Sequence, residues 1–298
     1  MLALFGPTAS GKSAVAEAIA EEIPAEIVSA DSMQVYRGLP ILTNQPERPA
    51  HLVAIWELDH EASVAEYSRR AHSEIDEILG AGRTPVVVGG TGLYLRAALA
   101  ELELPPAPQP GVRARWTRIY DRLGPEATYV LLAKRDPAAA AALHPNDRRR
   151  VVRALELADA GASLRPSRDR LWADETRHPT LIAGLEVPRD ELLRRIEQRA
   201  QRMLEHGAAD EARAALQAPI SSTADKVIGL HEAAQLPTAE AVAAIALRTR
   251  RYAAYQRKWM RRIPDLVSVR ADRPPRETAR EILELAGRRQ PLSARRAG

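Results

Sequence analysis

The stretch Gly6–Ser13 constrains the fold more than any other part of the chain. It matches the pattern G-x-x-x-x-G-K-[ST] of a phosphate-binding loop, or P-loop. The apolar residues Leu2–Phe5 before it predict a strand, and Ala14–Ala20 after it predict a helix. In that setting backbone N–H groups, the helix N-terminus and Lys12 converge on an anion, and the Ser13 hydroxyl can hold Mg²⁺. The predicted phosphate site comprises Gly6, Pro7, Thr8, Ala9, Ser10, Gly11, Lys12 and Ser13.

Two further predicted strands end in polar or glycine-rich turns. Glu26–Ala30 is followed by Asp31, and Pro85–Val88 is followed by Gly-Gly-Thr-Gly with Thr91 at its third position. Ligands of open α/β sheets bind at the carboxyl ends of the strands. We therefore expect Asp31 and Thr91 to lie near the bound phosphates. The third strand lacks the acidic residue with which a Walker B strand ends.

The predicted fold class is α/β, a P-loop-type parallel sheet flanked by helices with an inserted all-helical subdomain and a helical C-terminal part. Prolines between Leu104 and Pro110 indicate a stiff connector. We expect four segments. They are the first part of the catalytic core (residues 1–110), an inserted helical subdomain (111–180), the second part of the core with a further helical region (181–290), and a disordered tail (291–298). From Asp190 onward the pattern predicts helices throughout.

Composition excludes several function classes. The chain has no cysteine, which excludes disulfides and thiolate metal sites. No apolar run approaches the roughly 18 residues of a membrane helix, and Met1 leads directly into the first strand, so we expect a cytoplasmic enzyme without a signal peptide.

Residues 1–100 carry 7 Lys and Arg against 13 Asp and Glu, whereas the rest of the chain carries 36 against 26. This asymmetry predicts a polyanionic partner for the later part of the chain.

Three groups of basic residues support that prediction. Arg149 and Arg153 lie four residues apart, hence on one helix face. Residues 248–262 contain seven cations and no acid, with Tyr252, Tyr255 and Trp259 interleaved at helical spacing. Cations with interleaved aromatic rings suit phosphate contact and base stacking, although an amphipathic helix with its rings in the core would show the same pattern. Arg199 falls in the apolar stripe of a predicted helix, where it must find an anion or reach solvent.

At this point the residues resemble those of bacterial tRNA dimethylallyltransferases. The matching stretches occur in that family's order and cover most of the chain. They are GPTASGKS (6–13), ADSMQVYRG (30–38), VGGTGLYL (88–95), RRVVRALEL (149–157), RIEQR (195–199), VIG (227–229) and TRRYAAYQRKW (249–259).

The resemblance implies transfer of a dimethylallyl group from dimethylallyl diphosphate to N6 of the adenosine next to the anticodon, position 37. It implies Mg²⁺ as cofactor, a tRNA anticodon stem-loop as partner, no membrane, and a monomer. Asp31 is the implied general base, while Lys12, Thr91 and Arg199 contact the diphosphate. The implied tRNA contacts are Asp31, Ser32, Met33, Gln34, Thr91, Arg113, Arg149, Arg150, Arg153, Lys226, His231, Arg250, Tyr252, Gln256 and Trp259.

Some stretches depart from the family pattern. The usual G-T-A-K-P is here Leu42–Pro46 without the lysine, the usual P-H-H-L keeps only His51 of its two histidines, and the usual I-G-Y ends in Leu230. Three other functions remain open from the sequence: an adenylate isopentenyltransferase acting on a free nucleotide, a P-loop small-molecule kinase, and a non-catalytic RNA-binding module. The basic clusters favour tRNA, because a free nucleotide needs no extended RNA surface.

Overall fold

In the computed structural model, which describes residues 1–104, 111–164 and 170–289, five strands form one parallel sheet. They are β1 (Leu2–Phe5), β2 (Ala25–Ser29), β3 (Thr84–Gly89), β4 (Leu181–Glu186) and β5 (Leu266–Arg270). Their spatial order is β2-β3-β1-β4-β5. The central strand β1 is buried along its whole length, as its continuous apolar run requires of a strand covered on both faces. The predicted α/β fold with a parallel sheet is confirmed.

The chain divides into two units. Unit 1 comprises Met1–Glu101 and Leu171–Gly298, and unit 2 comprises Leu102–Arg170. The helices of unit 1 are α1 (Lys12–Glu22), α2 (Pro40–Thr43), α3 (Val64–Gly80), α4 (Gly92–Leu99), α8 (Arg189–Glu205), α9 (Ala208–Ala215), α10 (Leu230–Gln235), α11 (Thr238–Met260) and α12 (Pro275–Arg289). Those of unit 2 are α5 (Val112–Arg135), α6 (Pro137–Ala141) and α7 (Arg148–Asp159). No helix in the described part of the chain is long and apolar enough to cross a membrane.

Local sequence signals determine several helix ends. Ser63 precedes α3, and its hydroxyl accepts a hydrogen bond from the Glu66 backbone N–H at 3.1 Å, as an N-cap does. Asp136 and Asp147 cap α6 and α7 in the same way. Helix α5 breaks at Gly124, whose φ of 81° and ψ of 172° are not helical, immediately before a proline. The insertion therefore begins with two helical segments separated by a kink at Gly124.

Two expectations about the chain's course are corrected. The segment after Asp190 is not helical throughout, because β5 completes the sheet beside β4. The predicted connector at 105–110 and the predicted tail at 291–298 lie outside the described residues. Unit 2 ends at Arg170 instead of at residue 180.

The segment that follows Arg170 is held within unit 1 by a buried arginine. Arg96 of α4 has no exposed surface, and its Nε donates to the Leu171 carbonyl at 2.9 Å. Its Nη2 donates to the Ala173 carbonyl at 2.7 Å. Further along, the Arg177 backbone N–H donates to the Leu99 carbonyl at 2.8 Å. Backbone carbonyls of this irregular segment thus accept hydrogen bonds from Arg96 of α4, in place of the backbone hydrogen bonds of a regular helix or sheet.

A histidine fastens a loop to the outer edge of the sheet beside β2. The His51 backbone pairs with β2, donating to the Ile27 carbonyl at 2.8 Å. Its ring lies between two carboxylates, Glu26 at 2.5 Å and Glu74 of α3 at 2.6 Å. Burial by itself lowers the pKa of His51, but hydrogen bonds to both carboxylates and their charge raise it above its usual value overall. The protonated ring donates from both nitrogens and links β2, the loop and α3.

We expect His51→Gln to lower the free energy of unfolding by about 1 kcal/mol at weakly acidic pH and by less in alkaline solution. A raised pKa in the folded state stabilises the fold below the unfolded-state pKa, and this contribution is lost as the pH rises through the folded-state value. Urea unfolding at a series of pH values measures the difference. His206→Gln, whose ring faces a backbone carbonyl, is the control. An equal loss at every pH would show that the ring acts by packing and not by charge.

Candidate active site

The P-loop connects β1 to α1 and wraps as the glycine pattern predicts. Gly11 has a positive φ of 88°, and Ala9 also lies in the left-handed region at 64°. The Lys12 ammonium donates to the carbonyls of Gly6 and Pro7, at 2.9 and 2.8 Å. Ser10 Oγ is buried and has no hydrogen-bond partner among the described residues. The loop therefore holds a cation and an unused hydroxyl at the place where the motif predicts a phosphate.

The ends of β2 and β3 bring Asp31 and Thr91 to the same edge of the sheet. Asp31 Oδ1 accepts from the Met33 backbone N–H at 2.9 Å, which fixes the carboxylate in a short turn. Thr91 Oγ1 accepts from the Ser32 backbone N–H at 3.3 Å and lies 3.2 Å from the Tyr252 hydroxyl. The two strand-end loops are thus hydrogen-bonded to each other and to α11.

A cleft beside these loops combines polar and apolar walls. Its polar lining includes Thr8, Asp31, Arg199 and Tyr252. Arg199 on α8 reaches the P-loop, where its Nη1 donates to Thr8 Oγ1 at 3.1 Å. The remaining lining residues are mostly apolar and come from five parts of unit 1: Met33, Leu42, Thr43, Ile196, Ala200, Met203, Val227, Ile228, Ile245 and Thr249. The cleft therefore offers hydrogen-bond donors and positive charge suited to an anion, and apolar side chains suited to hydrocarbon.

Two cations at the site, Lys12 and Arg199, are partly buried. Burial lowers the pKa of Lys12 to about 8, with Asp31 opposing this shift and Arg199 adding to it. Burial also lowers the pKa of Arg199, again against the influence of Asp31. Burial raises the pKa of Tyr252, and the nearby Asp31 raises it further, so its hydroxyl remains a hydrogen-bond donor. Asp31 is thus the anion that these two cations share, and a bound polyanion would be stabilised by both.

Two amides that the resemblance assigned to tRNA contact make hydrogen bonds inside unit 1. Gln34 Oε1 accepts from the Ser29 hydroxyl, and its Nε2 donates to the Asn44 carbonyl, both at 2.8 Å. Gln256 is 2% exposed, and both ends of its amide are hydrogen-bonded to loops of the site. Gln256 is thus buried within unit 1, whereas Gln34 is half-buried and its tRNA contact stays a prediction.

The position of the missing lysine in the Leu42–Pro46 stretch is held by a glutamine that makes two hydrogen bonds. Gln45 occupies its place, and its Nε2 donates to the carbonyls of Gln34 and Tyr36 at 3.2 and 2.7 Å. An amide therefore supplies two donors to the loop that follows Asp31. The departure from the family pattern leaves this loop tied down.

The basic helix α11 is partly neutralised by acids from other helices, which the local sequence did not show. Arg248 pairs with Glu232 at 2.5 Å, and Arg250 pairs with Glu197 at 3.3 Å. Arg250, a predicted tRNA contact, thus also links α11 to α8 through this ion pair. The cations of residues 248–262 that are exposed and form no ion pair with a described residue are Arg251, Arg257, Lys258, Arg261 and Arg262.

Aromatic rings lie beside these cations. Tyr255 is 55% exposed. The Trp259 ring packs against that of Trp172, with centroids 4.8 Å apart, and the Arg262 guanidinium lies 3.7 Å from the Trp172 ring centroid. The sequence did not predict a role for Trp172, because no pattern in its neighbouring residues indicates that its ring contacts α11. Tyr252, in contrast, is inside the cleft rather than on this outer surface.

The predicted contacts at 226–231 lie next to the cleft. Lys226 is exposed, and His231 Nε2 lies 2.7 Å from Asp225 Oδ1. Val227 and Ile228 between them belong to the cleft wall. The sequence therefore located this loop at the site, although it did not foresee that the middle of the loop is apolar lining.

In unit 2 the predicted arginines fall into two groups. Arg113 and Arg153 both pair with Glu156, at 2.8 and 3.0 Å, and the Glu156 side chain has no exposed surface. Arg149 and Arg150 on α7 are exposed. Arg153 thus neutralises a buried carboxylate, whereas Arg149 is exposed, and the tRNA contacts of both stay predictions.

Comparison with known proteins gives consistent matches. The IPP transferase family model matches residues 34–263, and that of isopentenyl transferase matches residues 1–50. A tRNA dimethylallyltransferase from Thermobifida fusca is 40% identical over 292 residues, covering 92% of this chain and 91% of the relative. Another from Streptomyces coelicolor is 40% identical over 277 residues, covering 89% and 88%.

Solved structures of similar fold cover nearly the whole chain. The full-length tRNA isopentenylpyrophosphate transferase from Bacillus halodurans has a TM-score of 0.70 at 30% identity, covering 98% of this chain and 97% of that one. A eukaryotic dimethylallyltransferase, in structures described as acting on tRNA, has a TM-score of 0.78 at 25% identity, covering 99% and 80%.

We expect the binding of inorganic diphosphate to take up a proton at Lys12 in alkaline solution. The pKa of Lys12 is about 8 in the free protein, and an adjacent anion raises it, so affinity should fall as the pH rises above about 8. Titration calorimetry in buffers of different ionisation enthalpy counts the protons. Lys12→Met is the control, since the ligand's own titration is common to both proteins. Equal proton uptake by both would exclude Lys12 as the titrating group.

Proposed function

The chain belongs to the IPP transferase family and is an enzyme that transfers a dimethylallyl group to tRNA, and we propose that the transfer takes place in the cleft between the P-loop, Asp31 and Arg199. The donor in this proposal is dimethylallyl diphosphate, and the acceptor is N6 of the adenosine next to the anticodon. The proposal includes a cytoplasmic, monomeric enzyme.

The observation that carries this proposal is the two-sided chemistry of the cleft. Dimethylallyl diphosphate has a highly charged end and a small branched hydrocarbon end. Thr8, Arg199 and the P-loop offer donors and positive charge to the first, while Leu42, Ile196 and the other apolar lining residues suit the second. A small-molecule kinase needs the phosphate end of such a cleft but not a hydrocarbon wall.

The reaction joins the adenine N6 to the first carbon of the dimethylallyl group. As that C–N bond forms, the bond from the carbon to the diphosphate oxygen breaks, and its electron pair leaves with diphosphate. In the proposed mechanism Asp31 accepts the proton that N6 loses. Lys12, Arg199 and the loop N–H groups stabilise the charge that builds on the leaving oxygen. Thr91 and Tyr252 supply hydroxyl groups beside Asp31, where they can orient the adenine or the diphosphate.

Mg²⁺ would fit the same place, where the Ser13 hydroxyl would hold it beside the bound diphosphate. Within the described residues no group of three His, Cys, Asp or Glu side chains is placed to hold a metal ion, so the ligand must supply most of the coordination, as is common for Mg²⁺. The buried, unpartnered Ser10 hydroxyl in the P-loop agrees with a cradle for an anion. When bound, Mg²⁺ would offset charge on the diphosphate.

The acceptor must be presented as an unstacked base, because a stacked adenine cannot enter a cleft of this kind. The exposed cations of α11 and the aromatic rings of Tyr255, Trp259 and Trp172 form a surface suited to the RNA around that base. This surface argues against a free nucleotide as the acceptor, since a nucleotide has no further phosphates to meet it. Arg149 and Arg150 of unit 2 are proposed as additional phosphate contacts.

The proposed reaction is tested by incubating the protein with unmodified tRNA and dimethylallyl diphosphate. Mass spectrometry of the nucleosides should show one added five-carbon unit on adenosine. Prenylation of free adenosine monophosphate at a comparable rate would favour the nucleotide acceptor instead. ATP hydrolysis or phosphoryl transfer without any prenyl transfer would favour a kinase.

We expect Asp31→Asn to reduce single-turnover prenylation by roughly 10²–10⁴-fold. Asn retains the Oδ1 acceptor that holds the Met33 N–H, so the loop keeps its shape, but it cannot accept the amine proton. Rapid-quench experiments at saturating concentrations of both substrates measure the rate, and equilibrium binding checks that both still bind. If the variant lost tRNA binding while bound complexes reacted normally, Asp31 would be a recognition residue and another group would be the base.

We expect Arg149→Ala to lower the salt dependence of tRNA binding, reducing the slope by about 0.7–0.9 for one lost phosphate contact. Its thermal stability should not change, because Arg149 is exposed. Arg153→Ala is the matched comparison on the same helix face, and it should lower the free energy of unfolding by roughly 1–3 kcal/mol, since it removes a partner of buried Glu156. A steeper loss of salt dependence for Arg153→Ala than for Arg149→Ala would reverse these assignments.

A further inference from the structure

The side-chain amide of Gln256 bridges the two glycine-containing loops of the site. Its Oε1 accepts from the Thr8 backbone N–H of the P-loop at 2.7 Å, and its Nε2 donates to the Gly90 carbonyl at 2.9 Å. One loop offers a donor and the other an acceptor, so a side chain that spans them must present both kinds of group. Gln meets this requirement, whereas a Glu carboxylate offers only acceptors.

The approach of α11 to the second loop depends on its glycines. A Cβ atom added at Gly90 would lie 2.1 Å from Gln256 Nε2, and one added at Gly92 would lie 2.2 Å from Trp259 Cε3. Two side chains three residues apart on α11 therefore fill the space that side chains of the loop would otherwise occupy. These glycines therefore provide room for α11.

We propose that Gln256 is a positioning residue that keeps the P-loop and the Gly90–Thr91 loop in register for the reaction. This inference rests on the proposed function of the cleft. Thr8 and Thr91 belong to the two loops, and each is tied to a group of the proposed mechanism, Thr8 to Arg199 and Thr91 to Tyr252. The spacing of these groups is set by the bridge that Gln256 makes. A misplacement of about 1 Å in such a site can cost about 10²-fold in rate.

The discriminating variant is Gln256→Glu. It keeps the size of the side chain and an acceptor for Thr8, but it places a carboxylate oxygen against the Gly90 carbonyl. We expect single-turnover prenylation by bound complexes to fall by about 10- to 10²-fold, while tRNA affinity stays within about twofold, because Gln256 is buried. The deficit relative to wild type should shrink toward acidic pH, where a protonated Glu regains a donor for Gly90.

Gln256→Ala removes both hydrogen bonds, and we expect it to weaken the binding of inorganic diphosphate as well as to slow prenylation. Gln217→Glu introduces the same charge at an exposed position and should behave as wild type. Thermal unfolding of each variant confirms that the fold is retained.

Wild-type single-turnover rates in both Gln256 variants would overturn the inference. So would a loss of tRNA affinity with normal reaction of the bound complex, because Gln256 would then be an RNA contact. Failure of the wild-type protein itself to prenylate tRNA would instead overturn the proposed function. In that case unchanged diphosphate affinity in Gln256→Ala would separately reject the bridging role.

Discussion

The parallel pairing of β1, β2 and β3 brings the carboxyl ends of three strands to one edge of the sheet. The P-loop, Asp31 and Thr91 follow these ends, and residues far apart in the chain therefore become neighbours. The fit is close at this edge, since a Cβ atom at Gly89 would lie 2.1 Å from the Ala30 carbonyl oxygen. The strand that carries Asp31 is braced on its far side by the loop of His51. A phosphate loop, a carboxylate and a hydroxyl are thus presented on a rigid frame.

Charge is the second organising feature of the cleft. Lys12 and Arg199 are both partly buried, and burial lowers the pKa of each. Asp31 faces both of them. A diphosphate would satisfy the two cations, and it would leave Asp31 as the carboxylate that can accept a proton. In this arrangement the charges of Lys12, Arg199 and Asp31, in place of water, would balance the charge of the reacting groups.

The sequence was most informative where a function depends on contiguous residues. The P-loop, the strand ends at Asp31 and Thr91, and the helix caps all follow from local patterns. Tertiary partners were not predictable, because nothing near Arg153 or Arg250 in the sequence says which distant acid it meets. The apolar lining of the cleft could not be predicted for the same reason, since its residues come from separate elements. The missed strand β5 did leave a local signal, the β-branched alternation of Leu266–Val269.

The contacts around Arg96 also bear on how this architecture can vary. The chain leaves unit 1 after Glu101 and returns at Leu171, and both points are tied to unit 1 itself, through Leu99, Arg96 and Arg177. The entropy cost of bringing these two chain positions together is therefore offset by hydrogen bonds within unit 1, which do not involve the insertion. Unit 2 is thus inserted between two chain positions that unit 1 already holds together. The entropy cost of closing such a loop rises only slowly with its length. Such an insertion can therefore be lengthened, shortened or exchanged at little cost to the fold of unit 1.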